Sequence, residues 1–168
     1  QTREWRERFG LVQNQLTGRD DVLSLDYVTA GFDKSHSLSA SYDALMFDNQ
    51  KFKWRIFGSW SEFTASDVGV STQQFEGQSW SLGAELIPNI VQHRETFLDL
   101  ILGVRHEHIF VDNQGINEGT DDFFIPYIGL SLERIVEIAS TSVLVTVERN
   151  APGVANTEKS QIGNFGRT

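Results

Sequence analysis

The amino-acid sequence predicts an all-β fold, an antiparallel up-and-down transmembrane β-barrel of which about eight strands are present. Three observations predict it. Apolar and polar residues alternate with a period of two in eight segments, which is typical of strands with one apolar face. The connections between the segments alternate between short and long, as the periplasmic turns and external loops of outer-membrane barrels do. The polar faces are rich in serine and glycine, whereas three of the four tryptophans lie on the apolar faces.

The eight alternating segments are spread over most of the chain. Thr, Ser, Val, Tyr, Phe and Trp dominate them, and these residue types favour a pleated surface over a helix. The first segment alternates least regularly. Residues 132–138 fit either a short helical turn or a strand end with a tight connection, and we interpret them as the latter. The predicted strands cover residues 5–13, 21–29, 37–45, 51–60, 79–86, 97–107, 124–133 and 142–148.

The lengths of the connectors predict which strand ends lie together. Short and long connectors alternate along the chain, so we expect the turns at one end of the sheet and the loops at the other. Residues 30–35 form a connector at the same end of the sheet as the long loops, although this connector is short. The short connectors are 16–20, 46–50, 89–95 and 136–141, and the longer polar ones are 64–78, 112–122 and the tail from residue 150.

Alternation divides the side chains of each segment between two faces. We expect the apolar faces to contact lipid and the polar faces to line a wet interior, where charged residues pair across strands. The candidates for lipid contact are Leu23, Leu25, Tyr27, Phe52, Trp54, Ile56, Trp80, Leu82, Leu98, Leu100, Leu102 and Leu130. The candidates for the interior are Asp26, Asp43, Lys53, Arg55, Glu85, Asp99, Arg105, Glu107, Glu133 and Glu148.

The composition excludes several functional classes. The net charge is −9 and no basic stripe is present, which argues against nucleic-acid binding. The absence of cysteine excludes disulfides, thiolate zinc sites and cysteine nucleophiles. No apolar run approaches the ~18 to 20 residues that a spanning helix requires. We find no serine–histidine–acid set, phosphate-binding glycine loop or pair of catalytic carboxylates, so we predict neither an enzyme nor a cofactor.

Two stretches invite a metal interpretation, and in both we favour the simpler one. His106 and His108 lie on one face of a predicted strand, but a site needs at least one further ligand, for which Asp112 is the nearby candidate. The acidic stretch 112–122 resembles a loose calcium loop, yet its spacing does not match the twelve-residue calcium pattern. We therefore predict no metal site, and a solvated acidic loop at 112–122.

Several segments carry a family resemblance in order along the chain. Residues 14–25, NQLTGRDDVLSL, resemble the turn pattern N-x-L-G-x-G-D-x-L-x-L with one residue inserted, and Thr17 and Arg19 depart from it. Residues 41–45, SYDAL, resemble the strand end S-Y-x-x-P-L with one position fewer, and Ala44 stands in place of the proline. Residues 59–68 with 75–77 match an external-loop stretch, and 148–155 with 163–167 match E-x-N-x-P-G … L-G-R. Together they resemble the barrel domain of two-partner secretion translocators, the haemolysin-activator type of outer-membrane transporter.

The resemblance carries its own expectations. It implies a sixteen-stranded barrel in the bacterial outer membrane, of which residues 1–168 supply roughly the second to the ninth strand. It implies that the partners are outer-membrane lipid and a secreted passenger polypeptide of haemolysin or adhesin type, exported through the pore. The interior charges would then keep the lumen wet, so that an unfolded polypeptide slides through. The periplasmic polypeptide-binding domains, the later strands and the functional motif of the family lie outside these residues, so no functional motif residue is carried over.

Two alternatives remain open at this point. A self-contained eight-stranded outer-membrane barrel with a structural or adhesion role requires residues 5–13 to pair with 142–148, and the polar tail argues against it. A soluble ligand-binding β-barrel has the same alternation with its apolar residues turned inward. It would give a monodisperse preparation without detergent.

Overall fold

The described part of the chain forms eight strands in a single antiparallel sheet. The computed structural model describes residues 5–30, 35–46, 49–66, 74–113 and 117–154. Each strand pairs with its neighbours in sequence, in the order β1 to β8, which confirms the predicted all-β, up-and-down topology. None of the described residues forms a helix that is long and apolar enough to cross a membrane. The strands are β1 Glu7–Asn14, β2 Asp21–Thr29, β3 Ser35–Met46, β4 Asn49–Ser66, β5 Gln74–His93, β6 Thr96–Asn113, β7 Asn117–Val136 and β8 Ala139–Glu148.

The four central strands are longer at their loop ends than the alternation predicted. Residues 64–66 and 74–78 of one predicted loop belong to β4 and β5. Residues 112–113 and 117–122 of the other belong to β6 and β7, so the prediction of a long solvated loop there is wrong. The backbone ladder continues where the regular alternation stops, because its hydrogen bonds do not depend on side-chain hydrophobicity.

The turns between paired strands are tight, as predicted. In the first turn, Gly18 and Gln15 adopt positive φ values of 76° and 58°, and the Gln15 amide donates to the Asp21 carbonyl at 2.7 Å. Two-residue turns join β5 to β6 and β7 to β8. The predicted connector 89–95 is mostly strand, with a β-bulge between Asn89 and Val91. The end of β7 confirms the interpretation of residues 132–138 as a strand end with a tight connection.

The register places each predicted set of side chains on its own face of the sheet. Residues directly opposite each other in neighbouring strands share a face. The ten charged candidates all lie on one side, which we call the charged face, and the twelve apolar candidates lie on the other, the apolar face. The sheet thus separates the two chemistries completely for these twenty-two residues.

The sheet has no dry core between packed layers. Ala44 is the only buried hydrophobic side chain in the described part of the chain. Leu25 is 36% exposed, and Trp54, Leu98 and Leu100 on the same face are half-buried. A single layer leaves both of its faces uncovered, and so the apolar face has to be covered by something other than this sheet.

The strands are staggered along the sheet. Asp21 lies beside the first turn. Its successive cross-strand partners lead through the sheet to Ile128 in β7, which lies eight residues before Val136 at the last turn. With a rise of ~3.3 Å per residue and ~4.8 Å between strands, this stagger gives strands that are tilted by about 45° relative to the line through the turns.

Candidate functional site: the charged face

The charged face carries a continuous row of polar side chains that runs across six strands. Its members are consecutive partners in the register, from β3 to β8: Asp43, Arg55, Glu85, Gly103, Tyr127 and Glu148. Cross-strand partners on one face have Cβ atoms ~5 Å apart, so each side chain in the row can reach the next. Four of the predicted interior residues therefore meet here, together with Tyr127 and Gly103.

Arg55 joins the two acidic residues at one end of the row. Its Nε donates to Asp43 Oδ1 at 2.6 Å, and its Nη1 lies 3.4 Å from Glu85 Oε2. The Glu85 side chain is only 13% exposed, whereas Arg55 remains open to solvent. The guanidinium thus balances two carboxylates whose mutual repulsion would otherwise be weakly screened at the sheet surface.

Tyr127 reaches Glu85 across an intervening strand. Its hydroxyl donates a 2.6 Å hydrogen bond to Glu85 Oε1, although β6 lies between β5 and β7. The ring passes over Gly103, where an added Cβ would lie 2.2 Å from the ring carbon Cζ. Glycine allows the ring to lie here, because a side chain at this position would overlap the ring and force it to move.

The same arrangement of an aromatic ring over a glycine occurs twice more on the charged face. Phe57 covers Gly83, and Phe63 covers Gly77, each from the neighbouring strand. An aromatic ring packed over a strand glycine shields its backbone and fixes the register. Sequence reasoning missed these residues because it sorted side chains by polarity. The available signal, an aromatic residue opposite a glycine, exists only once the register is known.

Arg105 lies beside the row, two residues from Gly103 in β6, and is paired less closely. Its Nη2 is 3.5 Å from Glu148 Oε2 in β8, and its Nε is 3.6 Å from Glu107 Oε2. The Nε atom is buried and has no hydrogen-bond partner within the described residues. The interactions here are therefore electrostatic attractions at distances longer than a direct hydrogen bond.

Serine residues occupy the charged face beside this row. Ser59 bonds Ser81 and Ser61 bonds Ser79, both at 2.8 Å between Oγ atoms. Ser59, Ser79 and Ser81, with serines of β2 and β3 and with Arg105, line a concavity of about 490 Å³ that extends from β2 to β6. The small hydroxyl side chains leave this part of the face open and hydrophilic.

The remaining charged candidates lie outside the row. Asp26 is bound by Arg8 at 2.7 Å, and Asp99 accepts a 2.6 Å hydrogen bond from the Asn89 amide. Lys53 lies opposite Ile87, and Glu133 lies opposite Phe97 and Ser142. Seven of the ten candidates are acidic and three are basic, so the face as a whole repels anions and attracts cations.

The histidine pair lies on the apolar face with an unexpected acidic neighbour. Trp80 stacks on His106 and His108, with ring centroids 5.1 and 5.7 Å apart. His108 Nδ1 lies 2.7 Å from Asp122 Oδ1, and His106 Nε2 lies 3.8 Å from the same atom. Asp122, rather than the predicted candidate Asp112, is thus the acidic neighbour. Across the residues that the structure describes, no three side chains are arranged to hold a metal ion.

The acidic stretch beyond the histidines belongs to strand structure as far as it is described. Asp121 and Asp122 lie in β7 with their side chains on opposite faces, and Asp121 is buried beside Ile109. The side chains of residues 113–118, which include most of the suspected calcium loop, lie outside the described part.

Asp21 stabilises the first turn at the edge of the sheet. Its side chain is 1% exposed and accepts hydrogen bonds from the Tyr42 hydroxyl at 2.8 Å and from the Thr17 amide at 3.1 Å. Burial alone raises the pKa of this carboxyl, but the hydrogen bonds from Tyr42 and Thr17 outweigh it, so the pKa lies below its ordinary value.

The charged face therefore offers a hydrated, internally paired surface with an excess of carboxylates. Comparison of the sequence with models of known protein families and with curated proteins found no match.

Proposed function

We propose that this chain supplies eight strands of a transmembrane β-barrel in the bacterial outer membrane, and that the barrel exports a large secreted polypeptide of haemolysin or adhesin type. The apolar face contacts lipid, and the charged face lines the lumen. The observation that carries the membrane assignment is the height and level of the band of apolar side chains on the apolar face. The export role rests on the family resemblance.

The band of apolar side chains has the height that a bilayer requires. On β4 it runs from Phe52 to Trp60, and on β7 from Phe124 to Leu132. Each span covers nine residues, and a tilted transmembrane strand needs ~9 to 11. Polar side chains end the band, for example Glu62 above it on β4. The strands continue beyond the band at their loop ends, where Asp122 on β7 lies on the same face as Glu62 on β4.

The band also lies at a similar distance from the turn on each strand, and it does not follow the rows of directly paired residues. Its lowest members, Leu23 on β2, Leu98 on β6 and Leu132 on β7, lie two to four residues from the turn-side end of their strands. The band therefore descends with the stagger of the sheet and stays level with the line of turns. Relative to that line the strands tilt by about 45°, close to the ~35 to 45° of transmembrane barrels. A bilayer demands such a level band, whereas a soluble core does not.

Two observations support a concave charged face. The concavity beside the serines is lined by residues from β2 to β6, a span of five strands. Tyr127 meets Glu85, and Arg105 meets Glu148, in each case across an intervening strand. Side chains converge on the inside of a curved sheet, so these contacts favour the charged face as the interior of a barrel.

The edges of the sheet favour a barrel larger than eight strands. Within the described part of the chain, β1 and β8 make no contact with each other. Each presents unpaired backbone groups, which are costly in hydrocarbon. Further strands must cover these edges in a membrane, in keeping with the expected sixteen and against a self-contained eight-stranded barrel.

The paired charges suit the passage of an unfolded chain. Arg55, Asp43 and Glu85 satisfy one another, and the serines bond in pairs, so the face stays wet without presenting strong binding sites. A passing polypeptide then finds a hydrated surface with few groups to hold it. The exposed apolar face also argues against a soluble ligand-binding barrel, in which these side chains would be buried.

The membrane orientation can be tested with a single tryptophan moved by one residue. In a chain whose native tryptophans are replaced by phenylalanine, Ile56→Trp places the probe on the apolar face and Phe57→Trp places it on the charged face. We expect brominated acyl chains in liposomes to quench the first strongly and the second weakly. Equal quenching, or a monodisperse protein without detergent, would refute the membrane assignment.

The export role needs a separate measurement. Liposomes containing the barrel are offered an unfolded polypeptide from outside, and protease is added afterwards. The proposal expects a protected fraction that is absent from liposomes without the barrel. If the tryptophan experiment supports membrane insertion but no polypeptide is protected, the export role is refuted and the membrane assignment stands.

A further inference from the structure

We infer that the histidines at the loop-side border of the apolar face control, through their charge, how deeply this border enters the bilayer. The inference rests on the proposed transmembrane barrel and adds a dependence on pH to it. The residues concerned belong to β3 to β7, so the effect does not depend on what covers the two edges of the sheet.

Three of the four histidines of the chain lie where the band of apolar side chains ends towards the loops. In β6, His106 is opposite Phe124, the last member of the band on β7. His108 is opposite Asp122, the next residue of β7 on the same face. The two histidines therefore lie at the level where the wall passes from apolar to acidic.

The third histidine lies at the same border, three strands away. His36 in β3 is opposite Glu62, the polar residue that ends the band on β4. Its Nδ1 atom lies 2.8 Å from the Tyr27 hydroxyl, and the two rings stack with centroids 6.2 Å apart. Histidine rings thus extend the aromatic part of the band, and carboxylates lie beside them. We call the following residues the histidine border: His36, Glu62, Trp80, His106, His108 and Asp122.

The two histidines of β6 share one aromatic ring and one carboxylate. The Trp80 ring stacks on both imidazole rings, with centroids 5.1 and 5.7 Å apart. Asp122 Oδ1 lies 2.7 Å from His108 Nδ1 and 3.8 Å from His106 Nε2. The two histidine side chains are 27% and 28% exposed, so protons from the solvent can reach them.

The net charge of the histidine border reverses with pH. Histidine is the side chain whose ordinary change of charge falls between about pH 5 and 8. On the alkaline side of this interval, the border carries the negative charges of Glu62 and Asp122 alone. On the acidic side, three imidazolium groups face these two carboxylates, and the border becomes weakly positive.

The other charged neighbours on this face lie further from the imidazole rings. Glu76 and Asp112 lie opposite each other, four residues beyond the border residues of β5 and β6 towards the loops. Arg149, after the end of β8, bonds through its amide to the Pro126 carbonyl, and β7 separates it from the histidines. Within the described part of the chain, Asp122 is therefore the charged group in direct contact with the histidines of β6.

This reversal of charge changes which medium suits the border. Carboxylates are costly in a bilayer, so at alkaline pH Glu62 and Asp122 hold the border in water. Protonated histidines compensate both carboxylates, and an imidazolium stacked on Trp80 also gains a cation–π attraction. The rings can then lie in the headgroup layer, which amphipathic aromatic side chains favour. At a rise of ~3.3 Å per residue and a tilt of about 45°, a shift of one ladder step, two residues, moves the bilayer surface by about 5 Å.

Trp80 reports the depth of the border. In the chain whose other tryptophans are replaced by phenylalanine, its fluorescence is measured in phosphatidylcholine liposomes with acyl chains brominated close to the headgroup. Dividing this intensity by that in liposomes without bromine, at the same pH, removes any direct effect of the histidine charge on Trp80. We expect a smaller ratio, and hence stronger quenching, at an acidic pH of about 5 than at an alkaline pH of about 8. The Ile56→Trp probe, in the middle of the band on β4, is the reference and should be quenched at both pH values.

Two sets of variants separate the roles of the histidines and the carboxylates. His106→Gln with His108→Gln removes the protonation sites beside Trp80, and should leave the ratio as high at acidic as at alkaline pH. Asp122→Asn with Glu62→Gln removes the carboxylates that hold the border in water. This second set should be quenched at alkaline pH as strongly as the unsubstituted border is at acidic pH, a gain that a misfolded variant would not reproduce.

The control and the reference distinguish the possible failures. His93→Gln, at the turn end of β5, is the matched control and should keep the full response to pH. A Trp80 ratio that does not change with pH overturns the inference, and so does a response that persists in the double histidine variant. If Ile56→Trp is still quenched in these cases, only the role of the histidine border is refuted. An unquenched Ile56→Trp refutes the membrane barrel itself.

Discussion

The Tyr127 hydroxyl donates a 2.6 Å hydrogen bond to the Glu85 carboxylate, two strands away. Neighbouring strands lie ~4.8 Å apart, so this bond spans nearly 10 Å of sheet. It forms because Gly103, between the two residues, has no side chain. A single glycine in β6 therefore allows a contact that links β5 to β7. Glu85 thereby gains the Tyr127 hydroxyl as a second partner beside Arg55.

Gly103→Ala tests the contact between Tyr127 and Glu85. The new methyl group takes the place of the tyrosine ring, so the ring must move and its hydrogen bond to Glu85 is lost. We expect a loss of about 1–3 kcal/mol in the free energy of unfolding, measured by urea titration in detergent. Gly10→Ala is the matched control, because its added Cβ would lie 3.7 Å from the nearest atom, an ordinary contact. Equal loss in both variants would contradict the explanation.

Arg55→Gln tests the pairing within the row. The substitution removes the positive charge between Asp43 and Glu85, and we expect a loss of about 1 kcal/mol because Arg55 is partly open to solvent. Added salt should reduce the difference in free energy of unfolding between Arg55→Gln and the unsubstituted protein, because screening weakens both attraction and repulsion. Urea titrations at low and high salt measure this. A difference in free energy of unfolding that is independent of salt would indicate that packing, rather than charge, stabilises the row.

Asp21→Asn tests the buried carboxylate at the first turn. The folded pKa of Asp21 lies below its unfolded value, so its contribution is full above the unfolded pKa of ~3.9 and is lost as the pH falls through the folded pKa. At pH values below about 4, we expect the urea midpoint of the unsubstituted protein to decrease more steeply with falling pH than the midpoint of Asp21→Asn. Asp20→Asn, in the same turn, is the control. Parallel pH profiles for the unsubstituted protein and Asp21→Asn would show that this carboxylate does not contribute.

Leu130→Arg distinguishes lipid from water at the apolar face. Leu130 is 46% exposed, so in a soluble protein an arginine at this position should be tolerated. Leu130 lies two residues from Ile128, the middle of the band on β7, and an arginine costs ~2–4 kcal/mol at the bilayer midplane and less towards the interfaces. Ser131→Arg, one residue further on the charged face, is the control. We expect a much lower folded yield in liposomes for Leu130→Arg than for Ser131→Arg, and equal yields would count against lipid contact.

The central part of each strand could be predicted from the sequence because its alternation is regular. β2 has the predicted bounds, and the apolar and charged sides of β4 and β6 were also predicted. Regular alternation is a direct consequence of strand geometry, in which successive side chains point to opposite faces. The faces could therefore be separated before any coordinates were known.

The loop-side strand ends and the aromatic contacts could not be predicted in this way. Around Asp121 and Asp122 both faces are acidic, so the chain shows no alternation although it is a strand. Phe57 and Tyr127 interrupt the polarity of the charged face, and their roles depend on the glycines opposite them. Which residue lies opposite which is a property of the register, and no local pattern contains it.

The order of the strands has a consequence for how such a sheet can change during evolution. Each of the eight described strands bonds only to strands adjacent to it in the chain, so a hairpin is both a continuous gene segment and a continuous piece of the sheet. Duplicating or deleting two strands leaves the direction of all remaining neighbours unchanged. The width of the sheet can therefore grow or shrink in steps of one hairpin while the chemistry of each face is preserved.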